Sequence, residues 1–236
     1  MTAVVIPTYN ESENLPVLTE RLFAQNIPNL RIIFVDDGSP DGTEQVAWEL
    51  SEKYGGRIEV VQRGRKMGLG SAYVAGFRKA LDEGADFVIQ MDADLSHKPE
   101  YLPKFLASLE EADVVVGSRY ARGGGVEEDW GLSRKILSGG GNVGIRAIAG
   151  LKVKDTTAGF KAFRAGVLRS FDLGQLRCKG FGFQAEVAHA CQRLGYEVVE
   201  YPIIFANRYK GKSKMSTGII VEAFWRLLPL RLSRKR

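Results

Sequence analysis

Asp86-Phe-Val-Ile-Gln-Met-Asp-Ala-Asp94 is an apolar run that stops on two carboxylates. Its middle, Phe87 to Met91, is almost unbroken in hydrophobicity, which is how a strand covered on both faces of a sheet reads. Arg31-Ile-Ile-Phe-Val35 repeats the pattern and stops on Asp36 and Asp37. Further short strands are predicted at Ala3–Ile6, Ile58–Val61, Asp113–Val116 and Glu197–Phe205. Between them lie stretches with helical spacing: Asn14–Gln25, a segment opened by Asp41 or Thr43 as cap and running to Lys53, Gly70–Glu83, Pro99–Leu109 and Gly180–Leu194. Strands alternating with helices of roughly 10–15 residues imply βαβ units and a mostly parallel sheet. The fold class expected is α/β, Rossmann-like, with helices on both faces. Arg122–Asp129 and Ser138–Gly144 are rich in glycine and read as irregular loops.

In such sheets ligands bind beyond the carboxyl ends of the strands. Polar clusters fall there four times: Pro7-Thr-Tyr-Asn-Glu11, Asp36-Asp-Gly-Ser39, Asp92-Ala-Asp94 and Gly117-Ser-Arg-Tyr120. Asp92 and Asp94 repel each other and need a cation or donors to share. A hard divalent cation, Mg²⁺ or Mn²⁺, takes oxygen ligands of this kind. The competing reading is a helix N-cap at Asp94 or Ser96. Asp36 and Asp37 are either turn chemistry or acceptors for the N–H groups of a nucleobase. Tyr9 either stacks on a base or ribose or packs in the core. A dinucleotide fold would need Gly-x-Gly-x-x-Gly after the first strand. Pro7-Thr-Tyr-Asn10 stands there instead, and no Walker A sequence exists in the chain.

The 236 residues, 44% hydrophobic and 26% charged, suit one α/β domain. Two cysteines, Cys178 and Cys191, make no disulfide framework. Met1 runs directly into Val4-Val5-Ile6, without the arrangement of a signal peptide. From Tyr201 onward nine Lys/Arg face one acidic residue, so this segment carries +8 and the rest of the chain −3. A basic end on a near-neutral body points to an anionic partner: nucleic acid, membrane or a phosphorylated substrate. Nucleic acid is disfavoured, because acidic strand ends repel phosphate.

The ordered series Val5-Ile-Pro-Thr-Tyr-Asn-Glu11, Val35-Asp-Asp-Gly-Ser-Pro-Asp-Gly-Thr43, Gly68-Leu-Gly-Ser-Ala-Tyr73, Met91-Asp-Ala-Asp-Leu-Ser-His97, Gly117-Ser-Arg-Tyr120, Arg134-Lys-Ile-Leu-Ser138, Asp155-Thr-Thr-Ala-Gly-Phe160 and Gly180-Phe-Gly-Phe-Gln184 resembles the family-2 inverting glycosyltransferases of GT-A fold. The likeness covers nearly the whole chain and is strongest to the polyprenol (dolichol) phosphate mannosyltransferases. It implies transfer of mannose from GDP-mannose to a polyprenyl phosphate, with UDP-glucose as the alternative donor and a sugar nucleotidyltransferase as the alternative reaction. It implies that Pro7, Tyr9, Glu11, Val35 and Asp37 line a nucleoside pocket. Asp92, Ala93 and Asp94 would hold ribose, diphosphate and metal, with Asp94 and Arg119 central to catalysis. Arg208 and Lys214 would close over the donor phosphates, and Arg119, Arg134 and Ser138 would bind the acceptor phosphate. Ser96 stands where some relatives carry a metal-binding Gln, which leaves the third protein ligand open.

A phosphate acceptor is already ionised at neutral pH and needs no general base. Arg119 and Arg134 suit its bidentate recognition, although each alone reads equally as a surface ion-pairing residue. The catalytic domain is expected over 1–216. Segment 217–236 is expected to be an amphipathic interfacial helix. Its Ile219, Ile220, Val221, Phe224, Trp225, Leu227 and Leu228 accompany Arg226, Arg231, Arg234, Lys235 and Arg236. A span needs about 20 apolar residues, which this segment lacks. It suits anionic lipid at a cytoplasmic membrane face, with core packing as the alternative. A membrane-anchoring partner subunit is compatible with this arrangement.

Overall fold

The computed structural model describes residues 1–127, 132–176, 178, 180, 182–207 and 209. Strands β1 (Thr2–Thr8), β2 (Leu30–Asp36), β3 (Ile58–Gln62), β4 (Phe87–Gln90) and β5 (Val114–Ser118) alternate with helices α1 (Leu15–Phe23), α2 (Thr43–Lys53), α3 (Leu69–Asp82) and α4 (Leu102–Ser108). A two-residue strand β6 (Gly125–Val126), helix α5 (Leu132–Ala149), β7 (Lys161–Arg164), α6 (Ala165–Arg169), α7 (Gly182–Arg193), β8 (Val198–Pro202) and β9 (Ile204–Phe205) follow. The main sheet runs β3-β2-β1-β4-β7-β5-β8. Every pairing in it is parallel except those of β7, which lies antiparallel between β4 and β5. The mostly parallel α/β sheet expected from the strand runs is what the chain forms.

The period-two alternation of these strands feeds two cores. Val5, Ile33, Val35, Val88 and Phe163 face Tyr73 and Phe77 of α3 and Phe183 of α7. Val4, Ile6, Phe34, Ile89 and Val115 face Leu15, Leu18 and Leu22 of α1 and Phe105 of α4. Both faces are covered, as a parallel sheet requires. The free Cys178 and Cys191 are buried, and burial pushes the Cys191 thiol up to about 12. Helix α3 sits unusually close to the sheet. A Cβ on Gly76 would stand 2.2 Å from Val5 Cγ1 and 3.0 Å from Val35 Cγ2, so glycine sets the spacing between this helix and the centre of the sheet.

Two segments differ from expectation. Ser138–Gly144, expected to be irregular, is the middle of α5. Its glycines at 139, 140, 141 and 144 have open space around them, and glycine costs such a helix stability. Tertiary anchoring overrides that cost: Asn142 is buried, accepts from Thr156 N at 2.8 Å and Thr156 Oγ1 at 2.7 Å, and donates to the Lys154 carbonyl. Ile145 and Ile148 pack on the core beside it. The second is Lys161-Ala-Phe-Arg164, a strand that no expectation covered. It is bounded by two cations, yet the first is fully inside the protein. At Pro99–Leu109 the expected helix begins as a single 3₁₀ turn, Pro99–Tyr101, before α4. Gly42, and neither Asp41 nor Thr43, occupies the N-cap of α2, although Asp41 Oδ1 still accepts from Thr43 N at 3.1 Å. Segment 217–236 lies outside the described residues. Among those described, no helix is long and apolar enough to cross a membrane.

Replacing Gly76 by valine forces side-chain volume into the α3–sheet contact, and overpacking of this kind costs about 1–3 kcal/mol. Urea denaturation of Gly76→Val is expected to show a lower midpoint with an unchanged slope. An unchanged midpoint would mean that α3 lifts from β1 without cost.

Candidate active site

The parallel strands deliver their carboxyl ends to one edge, and the antiparallel β7 begins there, with Lys161 in register with Gln90 of β4 and Val116 of β5. Asp92 follows directly on β4. Its Oδ1 accepts from Tyr73 Oη at 2.8 Å, and its backbone N–H donates to His97 Nδ1 at 3.0 Å. Burial, and then the Asp92 charge, push the Tyr73 phenol well above its usual range, so it remains a donor. Asp94 is buried, and its Oδ1 accepts from Ser96 N at 3.1 Å and Ser96 Oγ at 2.6 Å across a turn in which Leu95 has φ 64°. The N-cap reading of Asp94 and Ser96 is thereby corrected. The residues flanking the starts of the 3₁₀ turn and α4 are Lys98 and Tyr101, and no side chain caps either. Ser96 is committed to Asp94. Ala93 is buried between the two acids.

Asp92, His97, Arg119, Thr157, Gly159 and Gln184 line a cleft of about 480 Å³, counted to its open mouth. The wall is tight at Gly159: a Cβ there would stand 3.1 Å from His97 Cε1 and 3.3 Å from Asp92 Oδ2, so these side chains would have to give by a few tenths of an ångström. His97 stacks on Phe160 at 4.9 Å and meets the edge of Phe205 at 5.4 Å. Burial lowers its pKa even though Asp92 and Asp94 pull the other way, so the ring is neutral. With Nδ1 accepting from the Asp92 amide, the ring proton sits on Nε2. Asp92 Oδ2 carries no hydrogen bond among the described residues. Carboxylate oxygens such as those of Asp92 and Asp94 are the ligand type of a hard divalent cation, which would take its remaining ligands from phosphate and water. No group of three or more His, Cys, Asp or Glu side chains placed to hold a metal occurs among the described residues.

Arg119, at the end of β5, faces the acids from the other side. Its Nε donates to Asp155 Oδ2 at 2.8 Å, and its Nη2 to Asp155 Oδ1 at 2.7 Å and Thr157 Oγ1 at 2.9 Å. Burial works against the charged guanidinium, but Asp155 more than offsets it and the pKa is raised. Nη1 has no hydrogen bond among the described residues and is the part of the fork left for an anion. Tyr120 Oη lies 3.0 Å from Ser138 Oγ on α5, so two of the three residues expected at an acceptor phosphate share one neighbourhood. The third, Arg134, lies four residues before Ser138 on the same helix; its side chain is outside the described residues.

Among the residues at the ends of β1 and β2, Asp36 is structural. It accepts from Thr8 Oγ1 at 2.8 Å and from Ser39 N and Oγ at 2.8 and 2.6 Å, the turn chemistry its sequence allowed. Asp37 accepts from Met67 N and Gly68 N and pairs with Arg63 Nη1 at 2.9 Å. Tyr9 is half-buried at the edge with Lys66 Nζ 4.3 Å from its ring centroid. Pro7 and Glu11 are likewise half-buried, and Glu11 N donates to Thr43 Oγ1. The Val35 side chain, expected at a nucleoside, is fully buried in the core, so only its backbone is left to meet a ligand. Arg208 and Lys214 lie outside the described residues. The chain leading to them crosses the acids: Ala206 N donates to Ser96 O at 3.0 Å and Tyr209 N to Asp94 O at 3.1 Å.

This order of motifs along one sheet edge is matched by the family model for glycosyl transferase family 2 over residues 3–171. The chain belongs to glycosyl transferase family 2. Among family members it is similar to an undecaprenyl-phosphate mannosyltransferase of Micrococcus luteus, with 45% identity over 93% of this chain and 89% of that protein. A polyprenol monophosphomannose synthase of Mycolicibacterium smegmatis is 43% identical over 96% and 85% of the two chains. Among solved structures, glucosyl-3-phosphoglycerate synthase from Mycobacterium tuberculosis, in complex with Mn²⁺, UDP and phosphoglyceric acid, superposes with a TM-score of 0.66. It covers 99% of this chain and 78% of its own at 18% identity, a likeness of fold. The GT-A α/β architecture expected of this family-2 glycosyltransferase is the one observed.

Reading motifs alone left out Tyr73, His97, Asp155, Lys161 and Gln184 as parts of this site. Tyr73, His97, Asp155 and Gln184 stood inside quoted motifs without a role. Lys161, one residue past such a motif, resembles an ordinary surface lysine. It is 1% exposed, and burial, opposed by Asp155, lowers its pKa to about 7. A lysine depressed in the folded state binds fewer protons than the unfolded chain between about 7 and its usual value, so its contribution to stability rises with pH across that window. Denaturation of wild type and Lys161→Met from pH 6.5 to 9.5 checks this: wild type should gain on the variant as pH rises above about 7. A pH-independent difference would place the lysine in its ordinary range.

Proposed function

We propose that this family-2 glycosyltransferase transfers mannose from GDP-mannose to a polyprenyl phosphate, giving polyprenyl phosphate mannose and GDP. The observation that carries the reading is the absence, among the described residues lining the cleft, of a group left to act as general base. His97 Nδ1 is occupied by the Asp92 amide, Asp155 behind the wall is paired with Arg119, and Asp92 lies where a cation and a diphosphate would bind. Such a cleft suits a nucleophile that arrives ionised. A phosphate monoester does so near neutral pH. The names of the Micrococcus and Mycolicibacterium relatives agree with a lipid phosphate as acceptor and mannose as the sugar.

The steps follow from this layout. Tyr73 fixes the Asp92 carboxylate, and the Leu95 turn fixes Asp94, so both are held for the donor's diphosphate. Asp92 and Asp94 would hold Mg²⁺ or Mn²⁺, which would supply positive charge to that diphosphate. Arg119 Nη1, with Arg134 and Ser138, orients the acceptor phosphate on the opposite side. An acceptor oxygen attacks the anomeric carbon, the bond from that carbon to the donor diphosphate breaks, and the configuration inverts. No proton moves, which matches a cleft of donors without a base. Arg208 and Lys214 then serve as the lid over the donor phosphates. The apolar and basic residues of segment 217–236 support a site that works on anionic lipid at the cytoplasmic face.

Asp94→Asn is expected to abolish the metal dependence of GDP binding in calorimetry; equal GDP affinity with and without Mn²⁺ in wild type would remove the metal from the account. Arg119→Lys keeps charge but loses the fork. It should leave GDP affinity within about twofold while lowering kcat/KM for undecaprenyl phosphate by roughly 100-fold, the scale of one lost hydrogen bond between charged groups together with the fork that holds Arg119 on Asp155. Absence of lipid-soluble radiolabel from GDP-mannose, with UDP-glucose also inactive, would overturn the proposal.

A further inference from the structure

Gln184, near the start of α7, is 1% exposed and lines the cleft with Asp92 and Arg119. Its amide has one orientation. Oε1 accepts from Gln90 Nε2 at 2.6 Å and from Lys161 Nζ at 2.6 Å. Turning the amide over would set its NH₂ against these two donors. Lys161 is itself held, because Nζ also donates to the Ala158 carbonyl. The remaining polar atom, Nε2, is buried and has no hydrogen-bond partner among the described residues, and neither has Oε1 of the adjoining Gln90 amide. A buried amide donor left unpaired costs about 1–3 kcal/mol, so such a group calls for a ligand. The cleft it lines is bounded by Asp92, on the side of the departing diphosphate, and by Arg119, on the side of the incoming phosphate. What occupies the space between a leaving group and its nucleophile is the group being transferred. A neutral, rigidly held amide N–H matches the lone pair of a neutral hydroxyl.

We infer that Gln184 is a specificity-determining residue whose Nε2 donates to a hydroxyl of the transferred sugar, with Gln90 and Lys161 as the residues that orient it. This rests on the sugar-transfer reading above. It adds a sugar contact that stands apart from the carboxylates and from the acceptor arginine.

The test compares sugar-dependent affinity in the full chain. Calorimetry with Mn²⁺ measures GDP against GDP-mannose, and UDP against UDP-glucose, for wild type, Gln184→Met and Gln184→Glu. Met removes the donor at similar volume. Glu keeps an acceptor for Lys161 and replaces the outward N–H by an oxygen, which guards against a folding defect in the first variant. Both variants are expected to bind the bare nucleotide as wild type does and to lose on the order of 10-fold in affinity for the nucleotide sugar. GDP-mannose analogues lacking single hydroxyls sharpen the result: one analogue should lose no further affinity on going from wild type to Gln184→Met, while the others do. Variants that keep the full gain from the sugar overturn the assignment, as does an equal loss for GDP and GDP-mannose. A wild type that gains from glucose and not from mannose overturns the donor proposed above, and Gln184 is then judged on the UDP pair. A gain from neither sugar overturns both.

Discussion

The paired fork of Arg119 on Asp155 sets the width of the cleft. Arg119 ends β5, and Asp155 opens the loop that returns to the edge as β7, so their bidentate bond ties the two sides of the antiparallel insertion together. The pair is nearly dry, with side-chain exposures of 12% and 0%. Removing one partner of such a pair typically costs about 3–5 kcal/mol, because the other charge is stranded out of water. Asp155 converts a bare guanidinium beside the cleft into a fixed one with a single edge, Nη1, left to the cleft. Asp155 is itself located by Asp155 N donating to Glu200 Oε1, and the neighbouring Thr156 by Asn142 of α5. The helix that carries Arg134 and Ser138 is thus fastened to the loop that orients Arg119.

Near the end of β4 the problem is the reverse, two acids only two residues apart. The protein meets it with donors aimed at one oxygen of each: Tyr73 on Asp92 and Ser96 on Asp94. Placing the donors on α3 and in the Leu95 turn keeps them independent of the acceptor side. The two halves of the cleft then carry opposite charge on separate, rigid supports. A donor diphosphate with its cation and an acceptor phosphate can approach one sugar from opposite directions.

Much of this was legible in the sequence, for definite reasons. Apolar runs such as Arg31–Val35 and Phe87–Met91 alternate with helical stretches, and parallel pairing follows from that. Once the sheet is parallel, Thr8, Asp36, Gln90 and Ser118 must lie at one edge, which brings the motifs together. Lys161–Arg164 was hidden because its end residues are cations, and a strand buried beside Gln90 and Gln184 is stabilised by pairing that no local pattern carries. The glycines at 139–141 resemble a loop because the Asn142 anchor lies in a different part of the chain. Tyr73 resembles a core aromatic, and it is one by packing; only its hydroxyl, 2.8 Å from Asp92, gives it a second task. Asp36 and Asp37 are adjacent and alike in sequence, yet one closes its own turn and the other binds a neighbouring loop.

The central claim is that this cleft accepts an ionised phosphate nucleophile and supplies no base. The direct measurement is the pH dependence of kcat/KM with a polyprenyl phosphate and with the corresponding, less acidic polyprenyl phosphonate. Activity should fall only on the acid side, following the second ionisation of the acceptor near pH 6. The same limb should move to higher pH with the phosphonate. A limb that stays in place when the acceptor changes would belong to an enzyme base and would contradict the account.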